Sequence, residues 1–487
     1  MNKRIFKAEI FFYIAFLFVC VFILLRSPLA PFAKSTNGVD SSVFIYSAQQ
    51  ILKGQIMYKD IVDHKGPFLY LIDVVALFIF NGKYIGIWIF EIVSLFTASI
   101  MMYKTARFFA GKITSFFAVV AAVFSLVQLL DGGNYTEEWA LPFISIAMYI
   151  FIAYLKDNKP LSIVRLAILS LTFVLTFMLR ANLAAIWAGF GIVLLVKWIV
   201  EKKQKELIRS VLFIILFVLL FLSPFFLYFY SKGALSDAVY LVFKYNMFEY
   251  PKRPFLINVG ILAGLYYCLS IIPLAIAIYM FLCDKTMINI SVIMALIFTT
   301  LSCSIGGHFV HYYMIFIPLL VIPYSYIFSI IKDNFAKAKY ILLFILFIFF
   351  IYDPAITNLK YVVYNYSEKG LSWPGILTPQ IREALKNIII QNTQPEDKIL
   401  VRGNQVAVYL YSGRSCATRF PNSIGGSSLA KKYYVKEAEK ALPKMIIQGW
   451  VANCYSTTDY NLDSLLNEKY QLLPTDIEGA EIWILKE

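Results

Sequence analysis

The sequence predicts a polytopic α-helical membrane protein that ends in a small α/β domain, and three observations lead there. Of 487 residues, 60% are hydrophobic and only 15% charged. The mean hydropathy is +0.70, far outside the range of soluble chains. Apolar stretches of sixteen residues or more recur along the first 352 positions, enough for about eleven bilayer-crossing helices. From about Pro354 the pattern changes to short alternating helical and strand periods, the mark of a compact α/β unit of roughly a hundred residues.

The first span begins near Ile10, behind Lys3, Arg4 and Lys7. Residues 27–31 (SPLAP) offer no small-x-small cleavage site, so this reads as an uncleaved helix with its amino terminus in the cytoplasm. The next segment, 66–81, is short and carries Asp73, which favours an amphipathic helix lying on the outer surface over a crossing. The later spans then alternate as 84–103 inward, 113–130 outward, 139–155 inward, 163–179 outward and 182–199 inward. After them come 210–230 outward, 256–281 inward, 289–304 outward, 312–331 inward and 340–352 outward. Under this scheme the basic loops, such as Lys104–Lys112 and Lys202–Arg209, all face the cytoplasm, as the positive-inside rule requires.

The net charge of +14 reports the same topology. From Asp353 onward lie 15 of the 44 basic and 14 of the 30 acidic residues, so the excess belongs to the membrane half, with 29 against 16. A nucleic-acid partner is therefore not implied. The domains expected are a multi-span region over 1–352, with a first outer loop at 28–81, and an extracytoplasmic α/β domain over 353–487. Within the tail, helices are predicted at 380–391 and 429–441. Strands are predicted at 398–402, 407–411, 444–448 and 480–485. If the tail is extracytoplasmic, Cys416 and Cys454 could form a disulfide, which two cysteines alone do not decide.

The same topology brings the distinctive polar clusters to the outer face. Asp40 precedes Ser41-Ser42 and an apolar-periodic run closed by Gly54, so it reads as a helix cap and as a general base for an acceptor hydroxyl. His64 and Lys65 sit just before Pro67, at a helix N-terminus suited to a phosphate. In Asp131–Glu138 (DGGNYTEE), Thr136 can cap a helix whose first turn carries Glu137 and Glu138. Either acid would pair with Asp40 to orient an acceptor, share base duty or hold a divalent cation. Arg180 follows an uninterrupted apolar helix and calls for an anionic partner. His308 and His311, in GGHFVHYY, hold two of the three histidines, and with His64 they suggest a shared anion pocket.

At these residues the chain resembles the GT-C superfamily of membrane glycosyltransferases, especially the protein O-mannosyltransferase and aminoarabinose-transferase branch. The resemblance covers the membrane half, through the first-loop acid, the lysine-proline cluster and the His-Tyr-Tyr pattern at His311–Pro318. It implies that Asp40 is the catalytic base, that Lys65 contacts a lipid-linked phosphate, and that Glu137 or Glu138 is the second outer-loop acid. The chain has Asp40-Ser41 where the family often has Asp-Glu, and Lys65-Gly66-Pro67 where it often has Lys-Pro-Pro. The implied reaction moves a sugar from a polyprenyl phosphate to an envelope glycan, lipid or protein at the plasma membrane. A transporter or flippase, which would spread ionisable groups through a central cavity, and a polymerase of lipid-linked glycans are the alternatives.

Overall fold

The computed structural model describes residues 3–130, 132–250, 267–304, 309–334, 339–370, 377–422, 427–452 and 461–487. They fall into two compact units: residues 1–25, 89–225 and 252–360 form one, and 26–88, 226–251 and 361–487 the other. The units are not contiguous in sequence, because residues 26–88 and 226–251 group with the tail.

The first unit is helical. Among the described residues of the whole chain, five helices are long and apolar enough to cross a membrane. They are Ile85–Ala106, Thr136–Asp157, Ala181–Val200, Gln204–Ser231 and Val310–Ile330. Shorter apolar helices run at Glu9–Leu24, Lys112–Gln128, Ile163–Leu179, Cys268–Cys283 and Met287–Cys303. Where water is absent, helices meet through small residues and close van der Waals contact. Helix Ala185–Val200 packs on Met287–Cys303 in this way. A Cβ at Gly189 would lie 2.7 Å from the Ala295 backbone, so any larger residue there forces the pair apart. The expected span 256–281 is described only from Tyr267. The last expected span, 340–352, is the first half of a longer helix, Lys339–Tyr366, which carries Pro354 in its interior.

The second unit opens with helix Val39–Leu52, which packs on helix Pro67–Ile79. At thirteen residues the latter is about 20 Å long, well short of a bilayer core. It buries Leu69, Tyr70, Asp73, Ala76 and Leu77 and exposes Leu71, Val75, Phe78 and Ile79. One apolar face is thus used inside the unit and the other is left outward, the pattern expected of a helix lying along an interface.

The tail builds a five-stranded sheet from β1 (Lys398–Val401), β2 (Ser415–Cys416), β3 (Met445–Gly449), β4 (Tyr470–Leu473) and β5 (Ala480–Leu485). Its order is β2-β1-β3-β5-β4. β1 pairs in parallel with both β2 and β3, whereas β5 runs antiparallel to β3 and β4. The helix Ser428–Ala441 makes the crossover that a parallel β1–β3 pair requires. Residues 407–411, expected as a strand, form the helix Ala407–Ser412 instead, closed by Gly413 at φ +70°. Val408 and the two tyrosines favour a strand by propensity, but tertiary packing decides such short runs. The Tyr409 hydroxyl accepts from the Val401 amide at 2.8 Å, and its ring lies 5.1 Å from that of Tyr46. Cys416 is a buried thiol that accepts a hydrogen bond from the Tyr409 hydroxyl at 3.3 Å. Cys454 lies outside the described residues.

Candidate active site

The first cluster belongs to the second unit and grows from the loop between helices Val39–Leu52 and Pro67–Ile79. Gly38, rather than Asp40, caps the first of these helices. Asp40 sits in its first turn, half-buried, where the helix dipole favours a carboxylate. At the other end of the loop, Gly66 caps and Pro67 opens the second helix, so Lys65 stands immediately before a helix N-terminus.

Between them the loop is held by buried aromatic hydroxyls. Tyr58 donates to the Lys65 carbonyl at 2.7 Å, and the Tyr70 hydroxyl donates to Oδ2 of Asp63. Asp63, 2% exposed, lies 3.3 Å through Oδ1 from Nδ1 of His64. Burial pushes the Asp63 carboxyl upward, but the His64 and Tyr70 hydrogen bonds and the Lys65 charge outweigh it and hold it down to about 2. Burial lowers the His64 pKa, with Lys65 acting in the same sense and Asp63 and Asp40 opposing, so the imidazole is kept neutral. The His64 ring packs edge-on against Tyr245 and, tilted, against Tyr250. The Asn246 amide donates to the His64 carbonyl at 2.8 Å.

This loop is also tied to the tail. The Val62 amide donates to the Arg419 carbonyl at 2.7 Å, and the Cys416 amide donates to the Tyr46 hydroxyl at 2.8 Å. The helix that carries Asp40 and the turn that carries Lys65 therefore rest on the same sheet domain. Asp63 belongs to the polar cluster that the sequence shows before Pro67, with no role of its own assigned there, and Tyr58, Tyr70 and Asn246 are not legible as site residues from sequence. Asn246, an amide in the aromatic run Tyr245–Tyr250, is the one the local pattern flags.

The second cluster belongs to the first unit. Residues 132–134 all adopt left-handed backbone, with φ of +96°, +79° and +62°. Two glycines take this conformation without strain, and Asn134 is among the few side chains that tolerate it. Its amide donates to Oε1 of the buried Glu91 at 2.7 Å, and its side-chain oxygen accepts from the Trp139 indole at 2.8 Å. The turn delivers the chain into helix Thr136–Asp157, which Thr136 does not cap as expected. Its hydroxyl instead donates to Oε2 of Glu137 at 2.7 Å.

Glu137, 1% exposed, accepts from Arg180 through Oε1 at 2.7 Å. The guanidinium also lies 4.0 Å from the centre of the Tyr312 ring. Arg180, expected as a phosphate ligand, thus has its anion within the protein. Glu138 is buried beside the amides of Asn134 and Tyr135, and no cation lies within ion-pair distance of it among the described residues. His311 is buried and stacks on Tyr135 at 4.4 Å. His308 lies outside the described residues.

Among the described residues, no three His, Cys, Asp or Glu side chains converge to hold a metal ion. Glu137, expected as a possible ligand together with Asp40, has both oxygens engaged by Arg180 and Thr136.

The chain has the fold of the GT-C membrane glycosyltransferases. No family model and no curated protein matches its sequence. It is similar to ArnT from Cupriavidus metallidurans bound to undecaprenyl phosphate, with a TM-score of 0.65 at 11% identity over 98% of both chains. It is similar as well to an Archaeoglobus fulgidus oligosaccharyltransferase tethered to an acceptor peptide containing the NVT sequon. That match has a TM-score of 0.58 at 12% identity, and covers 98% of this chain and 74% of the other. The same oligosaccharyltransferase has been solved in complex with Zn and sulfate, with a TM-score of 0.53.

Proposed function

We propose that this chain is a membrane glycosyltransferase that moves a sugar from a polyprenyl-phosphate donor to an extracytoplasmic acceptor. The observation that carries the reading is the fold, shared end to end with a protein bound to undecaprenyl phosphate. Its support within the chain is a loop that sets an acid and a lysine at the starts of two packed helices.

Phosphate is a good leaving group, so this chemistry needs a base and a stabilised anion. Asp40 takes the proton of the acceptor hydroxyl as its oxygen attacks the anomeric carbon. The bond from that carbon to the phosphate oxygen breaks, and the electron pair leaves with polyprenyl phosphate. Lys65, at the positive end of the dipole of helix Pro67–Ile79, stabilises the developing charge. Single displacement inverts the anomeric centre. Tyr58, Tyr70 and Asp63 position Lys65 through its backbone rather than by touching substrate.

The proposed arrangement in the bilayer has about eleven spans, the amino terminus inside, and the Asp40–Lys65 loop and the tail outside the plasma membrane. Sugar release from labelled polyprenyl-phosphate sugars, with an envelope extract as acceptor, tests the reading. Wild type is expected to turn over one donor, and Asp40→Asn and Lys65→Ala to lose that turnover. Donor binding without turnover in any sample would point to a transporter, and a retained anomeric configuration would refute single displacement.

A further inference from the structure

The run Tyr240–Glu249 is a π-helix ten residues long. Such stretches are rare beyond a single turn and concentrate at functional sites. Two of its residues, Tyr245 and Asn246, hold His64 of the candidate loop by ring packing and by the 2.8 Å amide bond. Its residues Tyr240 and Lys244, within the same unit, line a cleft of about 650 Å³. Leu235, Ser236 and Asp237 extend that wall, and Ser428, Lys432 and Tyr433 of helix Ser428–Ala441 form the other.

The walls are joined by a compact polar network. Glu249 accepts from the Ser428 amide and hydroxyl, each at 2.9 Å, and the Tyr240 hydroxyl lies 2.8 Å from the Ser428 oxygen. That network uses polar groups of the cleft rim but leaves its cations alone. Lys244 and Lys432 are exposed and make no ion pair among the described residues. Lys432 stands 5.0 Å from the Tyr433 ring centre.

We infer that this cleft is the acceptor subsite, and that the acceptor is an anionic glycan with phosphodiester or carboxylate groups. The inference rests on the transferase reading above. Two unpaired ammonium groups take the repeating negative charge. The tyrosine rings offer faces to sugar rings, and Asp237 and Ser236 accept from hydroxyls. The volume lies in the range of sites that enclose ligands of a few rings. The π-helix supplies the link to chemistry, because neighbours in its sequence, Lys244 and Tyr245, serve the cleft and the candidate loop respectively.

The test is binding of a soluble phosphodiester-linked glycerol oligomer to the purified full-length protein in detergent, without donor. Wild type is expected to bind it, more weakly as salt rises, and to ignore neutral dextran of the same length. Lys244→Gln/Lys432→Gln should weaken binding at least tenfold and raise the acceptor KM with little change in kcat. Lys436→Gln/Lys440→Gln removes the same net charge from exposed positions that do not line the cleft, and should bind as wild type.

Equal loss in both double variants would reduce the effect to net charge and overturn the proposal. So would unchanged binding in the cleft variant, binding of dextran, or no binding by wild type. Protein in nanodiscs with and without anionic lipid separates a headgroup source. A difference between variants seen only with anionic lipid would also overturn the proposal. These outcomes are independent of donor turnover, whose failure in wild type would instead sink the transferase reading.

Discussion

The pair Glu137–Arg180 gives the sharpest energetic prediction. Arg180→Met removes the 2.7 Å bond to Oε1 of a carboxylate that is only 1% exposed and that also accepts from the Thr136 hydroxyl. Orphaning one partner of a buried pair costs about 3–5 kcal/mol. Glu137→Gln should cost less, about 1–3 kcal/mol, because Arg180 is 18% exposed and keeps the Tyr312 face at 4.0 Å. That face alone is worth roughly 0.5–2 kcal/mol. In Glu137→Gln/Arg180→Met no buried charge is left, so the double variant should recover much of the loss. The coupling energy expected is about 2–3 kcal/mol. Denaturant unfolding of the four proteins in mixed micelles measures the cycle. Additivity within about 0.5 kcal/mol would show that the two side chains do not depend on each other, and the pairing would have to be abandoned.

Asp40→Asn should lower turnover by about 10²–10⁴-fold, the range of a lost general base, with donor affinity retained. Single-turnover assays separate the two effects. Asp63 has its folded pKa depressed to about 2, so its contribution is present above the ordinary carboxylate range and is lost as pH falls through about 2. His64 is also lowered by burial, so protonation favours the unfolded chain and stability is lost as pH falls below the usual imidazole range. Both act in one direction, and acid denaturation should begin below about pH 6.5; Asp63→Asn should remove the most acidic part of that curve. Asn134→Ala should cost about 1–3 kcal/mol, through left-handed backbone and the lost Trp139 bond, whereas Asn134→Gly should recover the backbone part, as thermal unfolding will show. Cys416 should stay unreactive to a thiol reagent until the protein is denatured, since it is buried beneath Tyr409.

What the sequence discloses about this fold follows from how locally each feature is encoded. Apolar periodicity is local, so the bilayer-length helices, and the helices at 379–392 and 428–441, stand close to where the residues predict them. Lys65-Gly66-Pro67 is local as well, because a proline at the first helical position signals the helix start on its own. β2 is two residues long and β4 four. Neither carries enough pattern to be seen, and each exists only because a neighbouring strand offers it hydrogen bonds. The pairing of Glu137 with Arg180 spans 43 positions, and the bond from Cys416 to Tyr46 spans 370. Nothing in local composition encodes partners at such distances. Glu91 escapes for another reason, since a lone acid inside an apolar run gives no hint that it will receive the amide of a left-handed turn.

The sequence reads the tail as a separate domain, and its contacts argue for a closer role. The Tyr46 hydroxyl, on the helix that carries Asp40, receives the amide of β2. In the stretch before Lys65, the Val62 amide donates to the Arg419 carbonyl just beyond β2. Arg419 is in turn held to Glu437 at 2.8 Å, on the helix that forms one wall of the cleft. A ligand that pulls on helix Ser428–Ala441 therefore acts on the turn next to Lys65 through one ion pair and one backbone bond. Glu437→Gln removes the ion pair without touching the cleft lining. If the linkage holds, this variant should lower kcat or raise the donor KM and leave cleft binding of the glycerol oligomer unchanged. A parallel loss of both would place Glu437 in the binding surface itself and refute the linkage.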